Sequence, residues 1–229
     1  MLVRLADLNI RIANKYPYLE DMCRAYQVCE GEADFQIAVS DTEILAEEAG
    51  RTIPGYAESL AVYRKIAEEI LLYDGFLMHG AVIETKGEGI AFLAKSGVGK
   101  TTHMALWKKY LGDGMQVVNG DKPLVRFLDS VPYAYGTPWA GKERLQTNMR
   151  VPLKAVCFLS RGEENEAVPC KKEDAFMRLL PQIYTPKDGT KMGLLLEKIG
   201  RFIDSVSFYS VRCTTEPEAA ETVYRAIFK

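Results

Sequence analysis

The 229-residue chain lacks the features that several function classes require. Its five cysteines (Cys23, Cys29, Cys157, Cys170 and Cys213) form no CxxC pair. With only two histidines, His79 and His103, there is no His/Cys cluster. A zinc-finger-type site and a disulfide scaffold are therefore excluded, and an odd, scattered set of thiols reads as reduced cysteine. Basic excess is missing as well: 29 Lys and Arg stand against 31 Asp and Glu, a formal net charge of -2. That gives no electrostatic footprint for nucleic acid or an anionic bilayer. No apolar run approaches the ~20 residues that cross a membrane. The first residues, MLVRLADLNIRIANKYPYL, are broken by charges and carry no cleavage-site pattern. There is no repeat, low-complexity tract or Pro/Gly/Ser linker. From these absences we expect a protein of the bacterial cytoplasm with no nucleic-acid and no membrane partner.

What is present is ordinary globular composition, 48% hydrophobic and 26% charged. The length suits one large domain, or one of usual size with a smaller companion. We place the boundary near residue 72, giving a small N-terminal unit over 1–72 and a larger one over 73–229. In the first, LVRLADLNIRIA alternates as a half-buried strand, PYLEDMCRAY suits a short helix and DFQIAVS a strand. AESLAVYRKIAEEILLYDG is the clearest helix, with Leu60, Tyr63, Ala67, Ile70 and Leu71 on one face and Gly75 as its stop. In the second, FLMHGAVIE and GIAFLA are apolar runs joined by TKGEG, a hairpin signature. TTHMALWKKYL, EDAFMRLLPQIY and MGLLLEKIGRFIDSV suit helices. MQVVNGD, PLVRFLD, VPLKAVCFLS and SFYSVRC suit strands. The tail helix is expected to start with Thr215 as cap and Glu218 as its capping-box partner. Interleaved strands and helices make the class α/β.

The chemistry gathers around FLAKSGVGKTTH, residues 92–103. The usual phosphate loop reads G-x-x-x-x-G-K-[ST]; here Ala94 replaces its first glycine. Such a loop holds an anion with backbone N–H groups and the positive end of the following helix. Gly97 and Gly99 permit the required backbone, Lys100 can reach the outer phosphates, and the Thr101 hydroxyl can bind Mg²⁺ beside them. Alanine is the smallest replacement for the opening glycine, so the anion nest is expected to survive.

Asp121 follows Lys100 by 21 positions, room for one helix and a return strand. A right-handed strand–helix–strand unit would set the two strand ends side by side, with Asp121 at the edge where α/β sheets bind ligands. A carboxylate there holds Mg²⁺ or takes a proton from an attacking hydroxyl; as part of NGD, it is equally well read as a turn aspartate. His79, in MHG, taken alone, is a packed or hydrogen-bonded histidine. His103 is expected on the helix surface. YGTPWAGKE, residues 135–143, suits either a lid over a substrate or a structural loop with Trp139 in the core. Arg161, after VCFLS, is a further candidate cation for the phosphates.

The order MHG, hairpin, AKSGVGKTT, VNGD, then GTPWAG and VPLKAVCFLSRGEEN resembles the HPr serine kinase/phosphorylase family, over roughly residues 76–229. It looks like an HPr-kinase-like branch rather than the regulator itself. The resemblance implies a PEP carboxykinase/HPr kinase-like P-loop domain with a mixed sheet and a hairpin before the loop, preceded by a small α/β unit. It implies ATP phosphates bound by Ser96, Gly97, Val98, Gly99, Lys100, Thr101 and Thr102, and Mg²⁺ held by Thr101 and Asp121. Asp121 would be the general base, with Lys100 and His79 in the catalytic pocket. Two departures stand out: the family's paired aspartate reads Gly120-Asp121, and the late glycine-rich signature of the bifunctional enzymes is missing.

Three readings follow. The first is a kinase using ATP and Mg²⁺ on a hydroxyl-bearing acceptor: a serine of a peptide or protein, or a small molecule. The second is a nucleotide-binding module without transfer activity, serving a peptide-modification or regulatory system. The third, an ABC-type or switch-type NTPase, ranks last because no LSGGQ-like segment and no apolar run ending in Asp-Glu is present. A homo-oligomer is compatible with the sequence.

Overall fold

The computed structural model describes residues 1–48, 53–95 and 97–229. These residues form two compact units, Met1–Asp74 and Gly75–Lys229.

The first unit comprises β1 (Leu2–Leu5), β2 (Leu8–Ala13), α1 (Pro17–Met22), β3 (Phe35–Ala38), α2 (Asp41–Glu48) and α3 (Pro54–Glu69). β1 and β2 are antiparallel, and β3 joins β2 in parallel. The single strand expected over residues 2–13 is thus a hairpin. Its turn residues, Ala6 and Asp7, adopt φ of 51° and 59° without a glycine to signal it. Buried Glu58 accepts the N–H groups of Lys15 at 2.5 Å and Tyr16 at 3.0 Å, tying the start of α1 to α3. α3 ends before the expected Gly75. A 3₁₀ turn follows over Ile70–Tyr73, Asp74 closes it at φ 59°, and Gly75 already belongs to a strand.

The second unit contains β4 (Gly75–Leu77), β5 (Ala81–Thr85), β6 (Glu88–Leu93), α4 (Lys100–Leu111), β7 (Gln116–Asn119), β8 (Leu124–Leu128), β9 (Val131–Tyr135), β10 (Arg150–Arg161), β11 (Glu166–Pro169), α5 (Lys172–Leu179), α6 (Gly189–Ser205), β12 (Ser207–Cys213) and α7 (Glu218–Ile227). Among the described residues its strands make one mixed sheet, in the order β4-β8-β9-β10-β6-β5-β7, with β12 paired to β10 and β11 to β12. The run FLMHGAVIE is two strands, broken at Met78–Gly80. The hairpin β5–β6 turns at Lys86 and Gly87, φ 55° and 77°, where the TKGEG signature sits. α7 begins at Glu218 after Pro217 and has no side-chain cap. Thr215 is not its N-cap; the neighbouring Thr214 hydroxyl instead accepts the Glu216 N–H.

α4 and α7 cover one face of the sheet. Trp107 and Met104 of α4 and Val223 and Ile227 of α7 pack with Ile83, Phe92, Cys157 and Val211. On α6, Phe202 meets Phe76 and Phe208 edge-on. Burying this much aliphatic and aromatic surface, at ~25 cal/mol per Å², drives assembly of the unit. The architecture is mixed α/β.

Candidate functional site

Strand direction explains why separate sequence motifs meet. β6 and β7 both run antiparallel to β5, which lies between them. The expected side-by-side pair is therefore an outer pair with one strand inserted, because the hairpin partner of β6 takes the neighbouring place. The insertion is chemically useful. Where β6 and β7 end, β5 begins, so the loop after β6, the turn after β7 and the MHG segment before β5 share one edge. Gly80 N–H donates to Asp121 O at 2.8 Å and closes that junction.

At the junction, His79 Nε2 lies 3.0 Å from Asp121 Oδ1, and Lys122 Nζ donates to Asp121 Oδ2 at 2.9 Å. Burial of Asp121 raises its pKa, but the hydrogen bonds from His79 and Lys122, with their charges, outweigh it and hold the carboxyl at about 2. Asp121 is thus a carboxylate across the neutral range. The turn that carries it is fixed from below. Fully buried Asn119 accepts the N–H groups of Asp121 and Lys122 through Oδ1, at 2.9 and 2.7 Å. Its Nδ2 donates to Thr137 O and Oγ1, each at 3.1 Å, and the Thr137 hydroxyl donates to Lys122 O at 2.7 Å. The YGTPWAGKE loop is therefore a wall of the site. Trp139 is buried, which favours the structural alternative for that residue. A Cβ at Gly141, φ +76°, would stand 3.2 Å from Asp121 Cβ and 3.5 Å from its Cγ, so this position keeps the carboxylate's flank open.

The other wall is the glycine-rich loop. Gly97 and Gly99 take φ of 81° and 123°, values that side chains resist. α4 starts at Lys100, whose Nζ donates to Ala94 O at 3.0 Å. Desolvation lowers the Lys100 pKa, nearby Asp121 raises it and Lys122 lowers it, so Lys100 and Asp121 share one electrostatic environment. Val98 lies in the loop; Thr101 and Thr102 are exposed in the first turn of α4. Ser96 lies outside the described residues. Arg161 donates from Nη2 to Gly97 O at 2.7 Å and from Nε to Val98 O at 3.3 Å. It grips the loop itself.

His103 is buried, not on the helix surface. Its Nε2 accepts the Trp107 indole N–H at 3.0 Å, and Phe92 meets its ring edge-on. Desolvation lowers its pKa to about 4. The sequence reading missed Lys122, Asn119, Thr137 and Gly141. A signal was present, since NGDK and GTPWAG each combine a turn glycine with hydrogen-bonding side chains.

The residues suit a nucleotide's phosphates: open space flanks Gly97, the helix start supplies N–H groups, and Lys100 is half-buried beside them. Thr101 and Asp121 offer one hydroxyl and one carboxylate. These hard oxygens suit Mg²⁺, which keeps waters and phosphate oxygens as its other ligands. Lys122 on Oδ2 would share the carboxylate with such an ion. Among the described residues no three His, Cys, Asp or Glu side chains gather as a metal cage, and no helix is long and apolar enough to cross a membrane.

Comparison with known proteins gives a family and a set of structural likenesses. A family model described as "SynChlorMet cassette protein ScmC" matches residues 55–184, more than half of the chain. The Hpr(Ser) kinase/phosphatase structure from Coxiella burnetii is similar at 12% identity and a TM-score of 0.39, over 66% of this chain and 94% of that one. No curated protein matches. The chain belongs to the ScmC family.

Proposed function

Taking membership of the ScmC family as the premise, we propose that the protein is a kinase that moves the γ-phosphoryl group of ATP to a hydroxyl acceptor in the presence of Mg²⁺. The acceptor class is a serine of a peptide or protein, or a small molecule. One observation carries the reading: the glycine-rich loop, Asp121 and His79 share one sheet edge, where α/β sheets bind ligands. The sequence resemblance to HPr-kinase-like proteins and their P-loop fold supports it from a second direction.

In this reading the loop N–H groups and Lys100 hold the phosphates. The acceptor hydroxyl hydrogen-bonds to Asp121, which is ionised and aimed by His79, Lys122 and Asn119. The acceptor oxygen forms a bond to the γ-phosphorus while the bond from that phosphorus to the β–γ bridging oxygen breaks. ADP leaves, and the hydroxyl proton passes to the Asp121 carboxylate. Thr101 and Asp121 would hold Mg²⁺, which supplies charge neutralisation on the phosphate oxygens when bound. A carboxyl held at about 2 is a weak base, so its larger contribution is orientation.

Labelled γ-phosphate from ATP, offered with Mg²⁺ and a pool of serine-containing peptides and small alcohols, tests the proposal. Transfer should fall about 10³-fold in Asp121→Asn while ATP binding stays within about threefold. Unchanged turnover in Asp121→Asn would remove Asp121 from the mechanism. A second reading, a nucleotide-binding module without transfer, draws on Gly120 in place of a paired carboxylate and on Lys122 occupying Asp121 Oδ2. It predicts ATP binding with label reaching no acceptor.

A further inference from the structure

Arg161 stands on an element remote in sequence from the glycine-rich loop, yet the sheet delivers it there. β10 runs parallel to β6, and their last paired residues are Phe158 and Leu93. β10 continues three residues further, to Arg161, and so runs alongside the loop that β6 releases. Its partner on the other side, β12, stays paired as far as Arg161 and Cys213, so the overhang is supported. The guanidinium then donates to two successive loop carbonyls, Gly97 O and Val98 O.

The consequence follows from peptide geometry. In a trans peptide the C=O and the next residue's N–H point in opposite directions. Holding Gly97 O and Val98 O toward Arg161 turns the N–H groups of Val98 and Gly99 away from it. The Val98 N–H closes a turn within the loop on Lys95 O, at 3.2 Å, so the Gly99 N–H is the one this orientation offers to an anion. Gly97 and Gly99 supply the positive φ values that let two adjacent peptides face this way. Lys100 ties the loop from its other end through Ala94 O. A planar guanidinium reaches both carbonyls at once from fixed nitrogens, which a lysine ammonium on a flexible stem does not reproduce.

We propose that Arg161 is a positioning residue for the phosphate loop: it orients the loop peptides that receive the anion, and it acts through its two-carbonyl grip rather than through its charge. The inference rests on the nucleotide-binding reading above and adds a residue and a mode of action to it.

The test compares wild type with Arg161→Lys and Arg161→Ala by two readouts. The first is amide hydrogen exchange of residues 97–102 in the ligand-free protein. Both variants should exchange about tenfold faster in this loop, with exchange elsewhere and the thermal midpoint nearly unchanged. The second is the affinity for Mg²⁺-ATP and for inorganic tripolyphosphate, which should weaken about tenfold in both variants. Wild-type affinity in Arg161→Lys would overturn the proposal, because charge alone would then suffice. Loop exchange unchanged in Arg161→Ala would overturn it as well. If wild type binds neither probe, the nucleotide reading fails while the exchange data still decide whether Arg161 sets the loop.

Discussion

The two walls of the site are built by opposite strategies. The Asp121 turn is set by a buried network, in which every polar atom of the Asn119 side chain is used and the Thr137 hydroxyl completes the ring. The glycine-rich loop is set from outside, by long cationic side chains reaching its carbonyls. The first arrangement costs several kcal/mol to break, because buried donors and acceptors would be orphaned. The second is cheap to rearrange, because its partners are partly solvated. The proposed kinase would have use for both: a carboxylate whose aim does not depend on ligand, and a loop that adapts to an arriving anion.

The largest effect expected from breaking this contrast is at Asn119. Asn119→Ala takes the acceptor from the part-buried Asp121 and Lys122 N–H groups and the donor from the buried Thr137 carbonyl and hydroxyl oxygens, and should cost about 3 kcal/mol of stability. Thermal unfolding should drop by about 10 °C, and labelled-phosphate transfer should fall with it. Arg161→Ala, on the opposite wall, should leave the midpoint nearly unmoved. Equal stability losses at Asn119 and Arg161 would erase the distinction between the walls.

That distinction was only half legible in the sequence. The loop wall was readable because SGVGKTT is contiguous and each residue acts near its own position in the chain. The Asp121 wall joins residues from 79 to 141 through strand order, which periodicity does not report. Inserting β5 between β6 and β7 decided where His79 arrives. Asp121 alone could be anticipated, while Asn119 and Thr137 read as ordinary turn residues. Elsewhere, local signals misled or were missed. The Ala6–Asp7 turn carries no glycine. α2 opens with a reciprocal Ser40 and Glu43 pair, the S-x-x-E signature, which the reading passed over. His103 has a polar name and a core position, because its ring pairs with Trp107 and packs on Phe92.

His103 sharpens the comparison from beneath the loop wall. Its pKa falls from 6.5 to about 4 on burial, so the unfolded chain takes up its proton first. Stability from this group is fully present above pH ~6.5 and is lost as pH falls toward 4, by about 3 kcal/mol in all. Denaturant unfolding between these pH values should show that slope in wild type and a flatter one in His103→Leu. An identical slope in both proteins would mean that His103 is not desolvated.

The smallest structural disturbance asks the most direct question. Lys100→Ala removes one half-exposed ammonium and should shift ligand-free stability by less than about 1 kcal/mol. Thermal unfolding of wild type and Lys100→Ala, each with and without Mg²⁺-ATP, therefore tests whether the loop is a working nucleotide site. At ~100 times its dissociation constant, ATP should stabilise the wild type by about 2.7 kcal/mol, a rise of about 5 °C or more, and Lys100→Ala should show none. No rise in wild type, or an equal rise in Lys100→Ala, would contradict the account.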